Sequence, residues 1–118
     1  MKIKVLLFTS ICLWQISFSQ NVPLDSVKFY VGKEITVCAK VMDTYVSKTN
    51  EGTTFVNFGN PYPKSTFTVV IFEAALPNFK YTPSMYLKDK NVCITGKVKI
   101  YKGKPEMIVK KEEQIKIQ

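Results

Sequence analysis

The sequence contains neither histidine nor arginine among its 118 residues. Without histidine, the chain lacks the most common general base near neutral pH and the most common metal ligand. Without arginine, it lacks the planar guanidinium that holds a phosphate or a guanine through two hydrogen bonds. The carboxylates Asp25, Asp43, Glu73, Asp89 and Glu106 are scattered, and we interpret them as solvated surface and loop groups. The sequence therefore predicts a non-catalytic protein with no cofactor and no metal ion.

Long apolar runs are scarce, and the clearest one lies at the N-terminus. Residues 5–14 are mostly apolar and follow the basic start Met1-Lys2-Ile3-Lys4. A basic start, a short apolar stretch and the small-residue exit Ser17-Phe18-Ser19 are typical of a cleavable secretory signal. The alternative is an uncleaved anchor, but the run is shorter than the roughly 20 residues that cross a bilayer. Ile11 stands before Cys12, where lipoprotein processing needs a small residue, so we expect no lipid anchor at Cys12.

We therefore predict a signal peptide over residues 1–19 and a single domain over residues 20–118, exported to the periplasm or the extracellular space and free of the membrane. The 17 basic residues are all lysines, and 15 of them remain in this domain beside 9 acids, a net charge of +6. Such a surface favours nucleic acid, anionic glycans or acidic proteins as partners. It also serves simply to keep a small exported protein in solution, so charge alone selects no partner.

Alternating apolar residues predict five short β-strands. Leu24, Val27 and Val31 recur at helical spacing before them and predict one short helix or turn. Between the third and fourth strands, Pro77 and Pro83 interrupt any regular helix, so we expect an irregular or helical insertion over residues 73–88. The predicted strands cover residues 35–41, 53–58, 66–72, 91–100 and 107–109.

Five short strands with an insertion between the third and the fourth follow the order of the OB-fold, a Greek-key barrel. Closure into a barrel leaves few exposed edges, which suits a domain of this size. The predicted fold is therefore all-β, a five-stranded OB-type barrel with a short N-terminal helix. A flat meander or a small sandwich is the alternative.

Cys38 and Cys93 are the two cysteines outside the predicted signal. An OB barrel pairs its first and fourth strands antiparallel, which places both cysteines on neighbouring strands with the same facing parity. An oxidising compartment permits them to form a disulfide. A register slip of two residues would exceed the reach of that bond, so two half-buried free thiols are the alternative.

The second and third strands of an OB barrel form its usual ligand surface. If Phe58 points into the barrel, Phe55 and Asn57 point out, and an exposed aromatic beside lysines suits the stacking of single-stranded bases. Tyr45, just after the first strand, and Tyr101, in the last turn, are predicted to flank this surface. Reversed parity, with Phe55 in the core, is the alternative. The lysines predicted to follow a phosphate backbone are Lys40, Lys97, Lys99, Lys102 and Lys104.

Residues 35–41, 54–58, 93–98 and 101–106 resemble the OB domains that bind anticodons in aspartyl-, asparaginyl- and lysyl-tRNA synthetases. More closely, residues 24–118 resemble small exported OB-fold proteins of Bacteroidetes-type bacteria. The resemblance implies nucleic-acid binding, with Phe55 at the position whose ring stacks on a base in the synthetase domains. The segments that carry it are Thr54-Phe55-Val56-Asn57, Pro61-Tyr62-Pro63, Phe67-Thr68-Val69-Val70-Ile71 and Gly103-Lys104-Pro105-Glu106.

We therefore predict an exported protein that binds single-stranded nucleic acid, with single-stranded DNA as the target most consistent with export. An exported module that binds a protein, a glycan or a small ligand is the alternative. Ionic strength separates the two, because binding that depends on phosphates weakens steeply as salt rises.

Overall fold

The computed structural model of the chain describes residues 20–49 and 51–118, so the predicted signal over residues 1–19 lies outside the described residues. The strands are β1 (Gln20–Asn21), β2 (Glu34–Val46), β3 (Thr54–Phe58), β4 (Phe67–Ile71), β5 (Asn91–Tyr101), β6 (Lys104–Ile108) and β7 (Ile115–Ile117). Three short 3-10 helices cover Leu24–Phe29, Glu73–Asn78 and Glu112–Gln114, and one α-helical turn, α1, covers Pro83–Tyr86. Among these described helices, none has the length and apolar character needed to cross a bilayer.

Five of the strands close into a barrel in the order β2-β3-β4-β6-β5-β2. β2 pairs antiparallel with both β3 and β5, while β4 and β6 run parallel. A small closed sheet with this Greek-key order is an OB-type barrel. The predicted all-β fold is confirmed, as are the short N-terminal helix, here a 3-10 helix, and the helical insertion between the third and fourth barrel strands.

The first barrel strand is longer than its alternation predicts. β2 continues to Val46, and its pairing with β3 shifts register between Val41 and Asp43. A bulge adds one residue to a strand and bends it, and the extra residue reverses the facing of those that follow. The apolar alternation is therefore lost at Met42 although the strand continues. Tyr45, predicted just after the strand, lies within it.

The strands β1 and β7 were not predicted. β1 pairs parallel with β2, and β7 pairs antiparallel with β5. With two and three residues, both are too short for alternation to reveal them. They extend the β2–β5 side of the barrel at its two edges.

The core is built from the inward faces of the barrel strands. Phe58 and Phe67 are fully buried, and their ring centroids lie 5.7 Å apart. The insertion adds Ala75, Phe79 and Leu87 to the same cluster. Full burial of a side chain of the size of Leu87 or Phe58 contributes about 1.5–3 kcal/mol. The insertion is therefore part of the hydrophobic core and not only a connection.

A disulfide joins β2 to β5. Cys38 and Cys93 are directly opposed in the ladder, with their Cα atoms 4.0 Å apart. The neighbouring pair Thr36 and Thr95 shares a hydrogen bond of 2.7 Å between the two hydroxyls. The ladder that closes the barrel is thus held by a covalent bond as well as by its backbone hydrogen bonds.

Replacing both Cys38 and Cys93 by Ala should lower the free energy of unfolding by about 4 kcal/mol. The reason is that the bond closes a loop with a sequence separation of 55 residues in the unfolded chain. Urea denaturation measures the loss. A reductant should lower the stability of the wild type to that of the variant and leave the variant unchanged. The prediction is wrong if the wild type is as stable as the variant and its stability does not change with the reductant.

Gly59 and Gly103 provide a matched test of backbone strain and close packing. Both have positive φ, +87° and +79°. A Cβ at Gly59 would lie 2.7 Å from the Cβ of Thr66, whereas Gly103 has open space around it. Gly103→Ala should therefore cost about 1–2 kcal/mol from the backbone alone, and Gly59→Ala about 1–3 kcal/mol more. Equal losses in thermal denaturation would contradict the close approach at Gly59.

Candidate nucleic-acid interface

Three aromatic rings form a row on the outer surface of the barrel, and we call Phe55, Tyr45 and Tyr62 the aromatic row. Tyr45 lies opposite Phe55 across the β2–β3 ladder, with ring centroids 6.3 Å apart and planes inclined by 27°. Tyr62, from the β3–β4 loop, lies 6.3 Å from Tyr45 with planes inclined by only 11°. Tyr45 is 52% exposed, Tyr62 is 67% exposed and Phe55 is half-buried. The row therefore offers ring surface to solvent.

Strand alternation explains why Phe55 faces outward. Its neighbours Val56 and Phe58 are buried in the core, and successive side chains of a strand point to opposite faces. The predicted parity of β3 is confirmed, and the alternative with Phe55 in the core is wrong. Because the bulge at Met42 resets the facing of β2, Tyr45 turns to the same outer side as Phe55.

The β3–β4 loop brings Tyr62 to the row through two polar contacts. The backbone N–H of Tyr62 donates a hydrogen bond of 3.3 Å to Oδ2 of Asp43 on β2. The Lys104 ammonium, on β6, donates to the carbonyl oxygen of Pro63. Two consecutive loop residues are thus tied to two different strands.

A cleft of about 760 Å³ adjoins the row and shares Phe55 with it. The loop between β2 and β3 and the start of the 3-10 helix after β4 form one side, where the Glu73 side chain packs over Gly52; a Cβ at Gly52 would lie 3.3 Å from it. The β5–β6 hairpin contributes Tyr101 on another side. The cleft is lined by Thr49, Glu51, Thr53, Phe55, Val70, Phe72, Glu73, Ala74, Lys99, Tyr101 and Glu106.

The charge inside the cleft is negative. Among the described residues that line it, the carboxylates of Glu51, Glu73 and Glu106 face a single ammonium, that of Lys99. The Lys99 ammonium lies 3.4 Å from Oε1 of Glu106, so its charge is already paired. Carboxylates disfavour phosphate, whereas the aromatic walls favour a flat, neutral group. The cleft interior thus suits a base better than a backbone.

The β5–β6 hairpin places two of the predicted lysines beside Tyr101. Lys102 and Gly103 both have positive φ, the backbone geometry of a two-residue type I′ turn. The ammonium groups of Lys99 and Lys102 lie 5.9 Å and 5.4 Å from the Tyr101 ring centroid. Tyr101, predicted in the turn, is the last residue of β5.

Three further predicted site residues belong to neither the aromatic row nor the lining of the cleft. Asn57 has the outward parity predicted for it but is only 1% exposed, because its Oδ1 accepts a hydrogen bond of 2.8 Å from Thr68 inside the sheet. Lys40 and Lys97 lie on the β2–β5 ladder that carries the disulfide, and neither lines the cleft. Asn57 therefore lies beside Phe55 on β3 without an exposed surface, and Lys40 and Lys97 lie outside the lining of the cleft.

Sequence reasoning missed other residues of this surface. Tyr62 stands between two prolines, and no strand pattern indicates that such a segment folds back onto β2. Phe72 follows the last residue of β4 and is 47% exposed at the cleft. Glu51 and Glu73 also line the cleft, but the local sequence does not show that the two segments carrying them meet there.

A smaller cavity of about 320 Å³ lies beside the insertion. Tyr81 lines it and packs against Phe79 and Tyr86, with ring centroids 5.7 Å and 4.5 Å away. Burial raises the pKa of Tyr81 to about 12, and the charges of Glu112 and Tyr86 add to the effect. Across residues 20–49 and 51–118, its hydroxyl has no hydrogen-bond partner. The same residues contain no group of three metal-binding side chains.

The chain has the barrel of an OB-type domain. No family model and no curated protein matches it, but solved structures do. A structure assigned as an aspartyl-tRNA synthetase from Leishmania major Friedlin matches with a TM-score of 0.53 and 11% identity, over 89% of this chain and 22% of that one. The OBody AM1L10 bound to hen egg-white lysozyme matches with a TM-score of 0.51 and 20% identity, over 76% and 83%. At these identities the likeness is one of fold, and the chain spans about a fifth of the synthetase.

The raised pKa of Tyr81 predicts a loss of stability in alkali. The folded pKa lies above the ordinary value of 10. The contribution of the neutral Tyr81 side chain to folding stability is therefore complete below about pH 10 and is lost as pH rises through about 12. Tyr81→Phe should make stability less dependent on pH across this window. An absorbance titration of the Tyr81→Phe variant should also lack the tyrosinate phase that appears at the highest pH. If that phase is unchanged in the variant, Tyr81 is not the tyrosine with the raised pKa.

Proposed function

We propose that this protein binds single-stranded nucleic acid, specifically single-stranded DNA outside the cytoplasm, through the aromatic row and the adjoining cleft, and that it catalyses no reaction. The observation that carries the proposal is the row of three adjacent aromatic rings, two of them exposed and one half-buried, on the outer face of an OB barrel. Every base has a flat face, and each base stacked on an aromatic ring contributes about 1–3 kcal/mol whatever its identity. Binding of this kind is tolerant of sequence.

The distribution of charge supports contact with phosphates at the rim of the surface. Lys48, Lys64 and Lys102 are exposed, and each lies within two residues of a side chain in the row or the cleft. The acidic cleft interior disfavours phosphate, so the backbone of a bound strand runs along this rim with its bases turned inward. Few phosphate contacts, all made by lysine, imply weak binding with a modest salt dependence.

The N-terminal sequence supports an extracytoplasmic role. Residues 1–19 have the pattern of a secretory signal, and we place the protein with the small exported OB proteins of Bacteroidetes-type bacteria on the motifs given above. Outside the cytoplasm, released DNA is a more consistent target than tRNA. The lack of histidine agrees with a role in binding rather than in acid–base catalysis.

A second candidate function is the binding of a basic protein segment. Glu51, Glu73 and Glu106 line a cleft that also contains Phe72 and Val70, and charge complementarity of this kind favours a cationic, partly apolar partner. The two functions respond oppositely to the loss of one carboxylate. Glu73→Gln should strengthen the binding of DNA and weaken the binding of a basic segment.

Phe55→Ala should weaken the binding of a fluorescein-labelled oligo(dT) by about 5- to 150-fold at low salt, because one stacked base loses its ring. Fluorescence anisotropy of residues 20–118 with the labelled strand measures this. Phe29→Ala is the matched control, since Phe29 is 75% exposed but belongs to neither the row nor the cleft.

The logarithm of the affinity should also fall with the logarithm of the salt concentration, by about 0.7 for each phosphate contacted. Two results would overturn the proposed function: a wild-type protein that binds no oligo(dT) at low salt, or an equal loss of affinity in the Phe55 and Phe29 variants.

A further inference from the structure

We infer that a bound strand leaves the cleft across Tyr45 and onto Tyr62, and that Lys104 positions Tyr62 for this contact instead of binding phosphate. The inference rests on the proposed function, because it assigns a second part of the same surface. It extends the binding path away from the β5–β6 hairpin and toward the β3–β4 loop.

Tyr62 combines an exposed ring with an anchored backbone. The ring is 67% exposed and packs against Tyr45, which is itself 52% exposed. The backbone beside it is nevertheless fixed, by the hydrogen bond from Tyr62 to Asp43 and by the contact from Lys104 to Pro63. A fixed backbone that presents an exposed ring lowers the ordering cost of binding. Tyr62 is therefore a preorganised stacking surface.

Lys102 and Lys104 lie on one hairpin but have different contacts. Lys104 donates its ammonium to the Pro63 carbonyl oxygen. Lys102, two residues earlier, instead holds its ammonium 5.4 Å from the Tyr101 ring centroid. Moving the Lys104 ammonium onto a phosphate would break the contact that holds the loop. The geometry thus assigns phosphate contact to Lys102 and positioning of the β3–β4 loop to Lys104.

The spacing of the rings gives the form of the ligand. The centroids of Phe55, Tyr45 and Tyr62 follow one another at 6.3 Å and 6.3 Å. This step is about twice the 3.4 Å rise per nucleotide of a stacked strand. Neighbouring bases that each contact one ring must therefore separate from each other. The row selects unpaired, unstacked bases, and duplex DNA fits it poorly.

The test measures the anisotropy of a fluorescein-labelled oligo(dT) octamer with four variants over a range of salt concentrations. Tyr62→Ala should lose about 5- to 150-fold in affinity, and Tyr62→Phe, which keeps the ring, should bind like the wild type. Lys104→Met should weaken binding with an unchanged salt slope. Lys102→Met should reduce the magnitude of the slope by about 0.7. Thermal denaturation of each variant controls for folding.

The outcomes separate this inference from the proposed function. If Phe55→Ala weakens binding and Tyr62→Ala does not, the path over Tyr62 is wrong and the proposed function stands. If Lys104→Met lowers the salt slope as Lys102→Met does, Lys104 binds phosphate and its positioning role is wrong. If Tyr62→Phe loses as much affinity as Tyr62→Ala, the contact is not stacking. If the wild type binds no octamer, both proposals fail.

Discussion

Strand β2 pairs with β5 over its first half and with β3 over its second, and the rest of the structure depends on this double pairing. The first half carries Cys38 and its bond to Cys93, which fixes the seam of the barrel. The bulge after Val41 then bends the strand and changes its facing. As a result, the strand that closes the barrel also presents Tyr45 beside Phe55. Closure and the proposed binding surface are two consequences of one bent strand.

The surface combines two properties that oppose each other for a nucleic-acid ligand. The domain is basic overall, yet the cleft beside the aromatic row contains Glu51, Glu73 and Glu106. Aromatic stacking is insensitive to charge, whereas phosphate contact is not. In the proposed binding mode the two contributions are separated in space, with bases over the rings and phosphates at the lysine rim. The proposed binding is weak, with stacking outweighing electrostatics.

The local sequence predicted those features that depend on strand period. The alternation around Phe55 predicts that its ring lies outside, and the equal facing parity of Cys38 and Cys93 on neighbouring strands makes a disulfide one of two alternatives. Features that depend on tertiary contact were not predictable. Asn57 is covered because Thr68 lies beside it, and Tyr62 joins the surface because its loop is tied to Asp43 and Lys104. A bulge of one residue hid the second half of β2.

The most direct test of the central claim is a two-dimensional NMR titration of the isotope-labelled domain, residues 20–118, with oligo(dT). We expect amide chemical shifts to change around Phe55, Tyr45 and Tyr101 and at the β3–β4 loop, and to remain unchanged around Cys38. The proposed binding surface is wrong if the strand leaves the amide shifts of the aromatic row unchanged and changes those of the β2–β5 ladder.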